Sequence, residues 1–195
     1  MPDAVHIYHR QELLLLRHGA EILCQKTDTA DIRNWLAAGF PVIVRRPGTT
    51  ADGIHCGIPL PISGGLRRIP FCVRQKAVQK RLALPRLQDC LDVLPKGRPV
   101  SEKLLSINPE VFGSLAWQYL TGQEFLHAQS DLDLLIRVRN PGELQELLHA
   151  LPGIATPFSD IEILLWNDRA FSWREWVTSA SSILVKSDHQ VFLLP

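Results

Sequence analysis

Apolar and polar residues alternate differently along the two halves of the chain. Residues 31–38 (DIRNWLAA) carry apolar positions at helical spacing and predict a short helix, capped by Thr29 or Asp31 and ended by Gly39. Residues 41–46 (PVIVRR) are β-branched and predict a strand entered from that turn. Residues 54–75 place Ser63-Gly64-Gly65 between two apolar-polar stretches, the pattern of a hairpin or small sheet. Residues 76–94 (KAVQKRLALPRLQDCLDVL) have roughly helical spacing broken at Pro85 and predict two short helices, followed by a hinge at 95–99 (PKGRP).

Beyond the hinge, helix and strand signals alternate. Residues 114–120 predict a helix between Gly113 and Gly122, and 132–138 (LDLLIRV) a strand. Asn140-Pro141-Gly142-Glu143 is a helix start with an N-cap, a proline at N1 and a glutamate at N3; that helix runs to about Leu151. Residues 161–166 (IEILLW) predict a strand, 172–178 a Trp-rich helix, and 183–186 and 191–194 two final strands. The class is α+β: a small N-terminal α+β module over residues 1–78, and a mixed sheet with flanking helices over residues 79–195.

Composition adds exclusions. With 46% hydrophobic and 21% charged residues in 195, the chain is neither a disordered tail nor a fibrous or disulfide scaffold. Its longest aliphatic run, 13–16, is far short of a membrane span, and an acid follows Met1-Pro2 where a signal peptide carries bases. A soluble, cytoplasmic protein with no membrane partner is expected. Cys24, Cys56, Cys72 and Cys90 form no CxxC pair, so reduced and mostly buried thiols are expected. Residues 1–100 hold 15 Lys+Arg against 8 Asp+Glu, and residues 101–195 hold 6 against 12. Between Asp52 and Asp89 no acid occurs beside Arg67, Arg68, Arg74, Lys76, Lys80, Arg81 and Arg86. Such a stretch suits a polyphosphate or an acidic protein, or is a solvated basic face. The chain is too short and too near neutral for a nucleic-acid polymerase.

The candidate chemistry lies in the second half. Asp131 and Asp133 stand at i and i+2 at the head of a strand, so both point to one face while Leu132 and Leu134 point to the other. Two carboxylates so close need a cation between them, and Mg²⁺ accepts one or two carboxylates together with phosphate oxygens. Glu162 is an acid between Ile161 and Ile163 in a strand expected beside the first, and Asp160 on the same face is the competing third acid. Gly113-Ser114 opens a helix whose free amides suit phosphate. Arg45 and Arg46 at a strand end and Lys186 in an apolar strand are further phosphate-binding candidates, each with a plain solvated or snorkelling alternative. Trp117 is expected in the core rather than stacked on a base, and His55, His127 and His189 receive no role.

Phe112-Gly113-Ser114, Asp131-Leu132-Asp133-Leu134 and Ile161-Glu162-Ile163 resemble the GS, DhD and third-acid elements of the nucleotidyltransferase superfamily related to DNA polymerase β. Sixteen residues separate Ser114 from Asp131, so an extended connection is expected there. A narrower match runs through PVIVRR (41–46), GIPLP (57–61), GSLAWQ (113–118), LTG (120–122), SDLDLL (130–135) and LVK (184–186). Together these resemble the malonate decarboxylase holo-acyl-carrier-protein synthases, which are phosphoribosyl-dephospho-CoA transferases. The resemblance implies a nucleotidyltransferase-type sheet and a metal-dependent enzyme. Its implied donor is 2′-(5″-triphosphoribosyl)-3′-dephospho-CoA. Its implied acceptor is a serine of the malonate decarboxylase acyl carrier protein, with pyrophosphate released. In that reaction Asp131 and Asp133 would hold Mg²⁺, and Glu162 would complete a second metal site or take the serine proton. Gly113, Ser114, Arg45, Arg46 and Lys186 would meet phosphates. The alternatives are a transferase that places a nucleotide from ATP on a protein or small molecule, and a non-catalytic module. The intact set of three acids argues against the latter.

Overall fold

The computed structural model describes residues 8–23, 28–46, 53–62, 65–127, 129–179, 182–188 and 190–194. The chain divides into two compact units, Met1–Ala83 and Leu84–Pro195, each built on one sheet. The architecture is α+β, as the pattern predicts. Among the described residues no helix is long and apolar enough to cross a membrane.

The first unit contains β1 (Leu13–Leu16), β2 (Ile22–Leu23), α1 (Thr29–Ala37), β3 (Val42–Val44), β4 (Ile54–Ile62), β5 (Gly65–Val73) and β6 (Val78–Leu82). Its strands form an antiparallel sheet in the order β2-β5-β4-β3-β1-β6. β4 and β5 are the predicted hairpin, in register from Ile54↔Val73 to Ile62↔Gly65. Of its expected turn, Ser63 and Gly64 lie outside the described residues. Ile54, Cys56, Ile58, Ile69, Phe71 and Val73 alternate onto one buried face. β3 pairs with β4 only as far as Gly57, so Pro59 and Pro61 stand where β4 has one neighbour and a missing N–H need cost no ladder bond. Trp35 Nε1 donates to the Pro41 carbonyl at 2.8 Å and ties α1 to the start of β3. The α1 cap falls at Asp28, without a side-chain bond, rather than at Thr29 or Asp31.

Of the two helices predicted over residues 76–94, the first is a strand and the second forms as a 3₁₀ helix. A 3₁₀ turn (Gln75–Ala77) leads into β6, which pairs with β1 from Leu13↔Leu82 to Leu16↔Val78 as an edge strand of the first sheet. Pro85 then precludes a continuous helix, and Leu87–Val93 coil as 3₁₀, the period of which puts Leu87, Cys90 and Val93 on one face. The tertiary partner β1 overrides a helical spacing that the local sequence carries. The expected hinge at 95–99 lies within the second unit.

The acid-free basic stretch is not acid-free in space. Arg67 pairs with Asp28 and Asp31, Arg74 with Glu21, Arg81 with Glu12 and Arg86 with Glu110. Such surface pairs add little stability but reduce the positive field. Cys56 and Cys90 are free, buried thiols pushed up to about 12, chiefly by burial; Cys72 is half-buried and also raised by burial. Cys24 lies outside the described residues.

The second unit contains α2 (Glu102–Ile107), β7 (Glu110–Val111), α3 (Gly113–Thr121), β8 (Leu132–Arg137), α4 (Pro141–Ala150), β9 (Ser159–Leu164), β10 (Ala170–Ser172), α5 (Trp173–Thr178), β11 (Ile183–Lys186) and β12 (Val191–Leu194). The sheet order is β12-β11-β10-β9-β8-β7, antiparallel except for the parallel pair β8–β9. A parallel pair needs a crossover, which α4 supplies. Leu132, Leu134 and Ile136 of β8 and Ile161 and Ile163 of β9 form one core face with Leu104, Leu115, Phe171 and Val185. The predicted start of α4 is built as read: the Asn140 side chain accepts the Glu143 amide at 3.0 Å. The Arg139 amide and guanidinium both bind the Glu143 carboxylate, holding it below the usual range.

Asn140→Ala is expected to destabilise the second unit by about 1 kcal/mol, the usual worth of an N-cap, and to lower the unfolding temperature by a few degrees. Thermal denaturation followed by circular dichroism checks this, with transfer activity at 25 °C unchanged.

Candidate functional site

The face of the sheet opposite the core carries the acids. Register places Asp133 of β8 directly across from Asp160 of β9, and Leu135 across from Glu162. Residues opposite one another share a face, so Asp133, Leu135, Asp160 and Glu162 lie together, with Asp131 one pleat before Asp133. On the next strand Ser172 stands across from Glu162, and its hydroxyl donates to Asp160 Oδ1 at 3.4 Å. Asp160 lies within β9, which begins at Ser159.

Burial grades along this face. The Asp131 side chain is 46% exposed, whereas the Glu162 side chain is 8% exposed beside the fully buried Leu135. A carboxylate that deep needs a partner, and Lys186 Nζ of β11 lies 3.7 Å from Glu162 Oε2. The acids thus separate into an accessible end with Asp131, Asp133 and Asp160, and a buried end where Glu162 is paired with Lys186.

The Gly-Ser helix start meets the accessible end. β7 runs antiparallel to β8, the Phe112 amide extends that ladder to the Asp133 carbonyl at 3.1 Å, and the chain then turns into α3 at Gly113. Gly113 has φ +64°, and a Cβ there would lie 1.7 Å from Asp133 Oδ2. Only glycine meets both demands. A connection then runs from the end of α3 at Thr121 to the start of β8 at Leu132. Gln118 of α3 holds it: its Oε1 accepts the amides of Phe125 and Leu126 at 3.2 and 3.1 Å, and its Nε2 donates to the Val93 carbonyl at 3.1 Å. Phe125 is fully buried, and Trp117 is buried as expected.

Sequence reasoning missed Arg174, a single basic residue of α5 in no recognisable motif. Its Nη1 lies 3.7 Å from Asp131 Oδ2, and its Nη2 donates to the carbonyls of Ser159 and Pro157 at 3.3 and 3.4 Å. Gly113, Ser114, Asp131, Asp133, Asp160, Glu162 and Lys186 all belong to the second unit; Arg45 and Arg46 belong to the first. There the Arg45 amide donates to the His55 carbonyl at 2.8 Å, and its side chain crosses Gly57, where a Cβ would come within 2.7 Å of Arg45 Cδ. His55 Nδ1 lies 3.5 Å from Cys72 Sγ.

Asp131, Asp133 and Asp160 offer hard oxygen donors, and the Asp133 carboxylate occupies the position that a side chain on Gly113 would take. Among the described residues no group of three or more His, Cys, Asp or Glu is placed to hold a metal ion. Asp131 and Asp133 are a carboxylate pair of the kind Mg²⁺ accepts when water and substrate oxygens fill the rest of its shell.

The second unit is thus a mixed α+β sheet that sets a Gly-Ser helix start against strand-borne aspartates. The family is shown by comparison with known proteins. The model of the phosphoribosyl-dephospho-CoA transferase MdcG N-terminal domain matches residues 9–83, and that of its C-terminal domain residues 76–195. The chain is 36% identical to a phosphoribosyl-dephospho-CoA transferase of Xanthomonas euvesicatoria over 84% of this chain and 83% of the relative. To one of Bradyrhizobium diazoefficiens it is 32% identical, over 84% of this chain and 77% of the relative. No solved structure matches. The chain belongs to the phosphoribosyl-dephospho-CoA transferase family and is a transferase.

Gly113→Ala is expected to push Asp133 aside and to lower transfer by roughly 10²-fold, the cost of an ångström-scale misplacement, with the core intact. Turnover assays beside circular dichroism check it; near-normal turnover would show that Asp133 needs no close approach of the backbone.

Proposed function

We propose that the protein transfers the prosthetic group of 2′-(5″-triphosphoribosyl)-3′-dephospho-CoA to a serine of the malonate decarboxylase acyl carrier protein, releasing pyrophosphate. The convergence of Asp131, Asp133 and Asp160 at the accessible end of one sheet face, against the start of α3, carries this reading. The family and the GSLAWQ and SDLDLL segments supply the donor class.

The serine oxygen attacks the α-phosphorus of the triphosphate, the bond from that phosphorus to the bridging oxygen breaks, and pyrophosphate leaves with the electron pair. The serine proton passes to a carboxylate of the acidic face. Asp160 is the better placed base or third ligand, because Glu162 is buried and committed to Lys186. Glu162 would hold the Lys186 ammonium in the sheet, from where it can add positive charge to the phosphate site. Ser114 and the amides at the start of α3 would bind phosphate oxygens, for which a helix N-terminus is favourable. Mg²⁺ held by Asp131 and Asp133 would neutralise charge on the triphosphate. Arg45 and Arg46 of the first unit remain candidates for phosphate or for an acidic carrier surface.

Intact-mass spectrometry of the apo carrier protein, incubated with enzyme, Mg²⁺ and donor, is expected to show the mass gain of the prosthetic group. ATP alone is expected to give none; a gain from ATP would support the alternative nucleotidyltransferase. Asp131→Asn and Asp133→Asn are each expected to lower the rate by roughly 10²- to 10⁴-fold, corresponding to several kcal/mol of transition-state stabilisation. Asp160→Asn is expected to cost more than Glu162→Gln, and the reverse order would return the third-acid role to Glu162.

A further inference from the structure

Arg174 has a place in the site that its ion pair with Asp131 does not exhaust. The guanidinium is anchored through Nη2 on two neutral carbonyls, those of Pro157 and Ser159, at the entry to β9. Carbonyl oxygens orient a guanidinium without cancelling its charge. Its carboxylate contact, to Asp131, is 3.7 Å long and solvent-screened, since both side chains are about half exposed, at 49% and 46%. The cation is thus fixed in position at the open end of the acidic face while much of its charge remains available.

A divalent cation on Asp131 and a guanidinium on the same carboxylate repel one another. An added anion between them lowers that repulsion. A guanidinium fork suits phosphate oxygens better than an ammonium does, because it can bind two at once. From this we infer that Arg174 is a phosphate-binding residue of the donor site. When the donor enters, its Nη1 exchanges the Asp131 carboxylate for an oxygen of the donor's triphosphate, while Nη2 stays on the carbonyls. The exchange leaves Asp131 for the metal and makes metal and polyphosphate bind cooperatively. This inference rests on the function proposed above and names a residue of that same site.

Isothermal titration of the full chain tests it, with inorganic pyrophosphate in Mg²⁺ as one probe and Mn²⁺ alone as the other. Arg174→Gln keeps a donor for the carbonyls and removes the charge. It is expected to weaken pyrophosphate at least 10-fold, to bind Mn²⁺ alone no more weakly than the parent, and to keep its unfolding temperature. Arg174→Lys is expected to recover part of the loss, and it decides the matter if the glutamine variant does not fold. Unchanged pyrophosphate affinity in a folded variant overturns the inference, and so does parallel weakening of both probes, the mark of a merely structural role. Asp133→Asn separates the two levels. If it weakens pyrophosphate while Arg174→Gln does not, only the role of Arg174 fails. If neither changes the affinity, the acidic face is not the phosphate site, and the proposed function fails with it.

Discussion

The contact between the Gly113 backbone and the Asp133 carboxylate constrains everything around it. A helix start can approach a strand-borne acid this closely only without a Cβ and with φ in the left-handed region. β7 and the Phe112 amide carry the chain alongside β8 to that point, and Gln118 pins the connection that leads back to Asp131. Free amides and a pair of carboxylates thereby face one volume. The Asp131 end of this face is open to solvent.

Opposite charges are distributed over this face in a graded way. At the buried end Glu162 and Lys186 satisfy each other, so neither is left as an uncompensated charge in an apolar sheet. At the open end Arg174 and Asp131 make a contact of the same length that is far more exposed. An exposed pair, screened by solvent, exchanges partners at less cost than a buried one.

Much of the second unit was legible in the chain itself. The strands at 132–138 and 183–186, the α4 start at Asn140 and the Gly-Ser helix all rest on local signals: period-two alternation, an N-cap with proline, and a glycine at a turn. The edge strand Val78–Leu82 was not legible, because its apolar spacing fits a helix and only pairing with Leu13–Leu16 decides otherwise. The neutralising partners of Arg67, Arg74 and Arg81 were hidden for a similar reason: their acids come from other segments.

At the site, the sequence by itself determined that Asp131 and Asp133 share a face, since alternation within one strand is a property of the backbone. The pairing register of β8 against β9 is different in kind. A shift of two residues would keep every side chain on its face yet set Glu162, rather than Asp160, across from Asp133. No local signal specifies that choice; the packing of Ile161 and Ile163 against Leu134 and Ile136 in the shared core does. Arg174 likewise acquires its place only when α5 brings it beside the carbonyls of Pro157 and Ser159. Tertiary structure alone decided which acid completes the accessible set and which cation stands beside it, because both depend on contacts between segments distant in the chain.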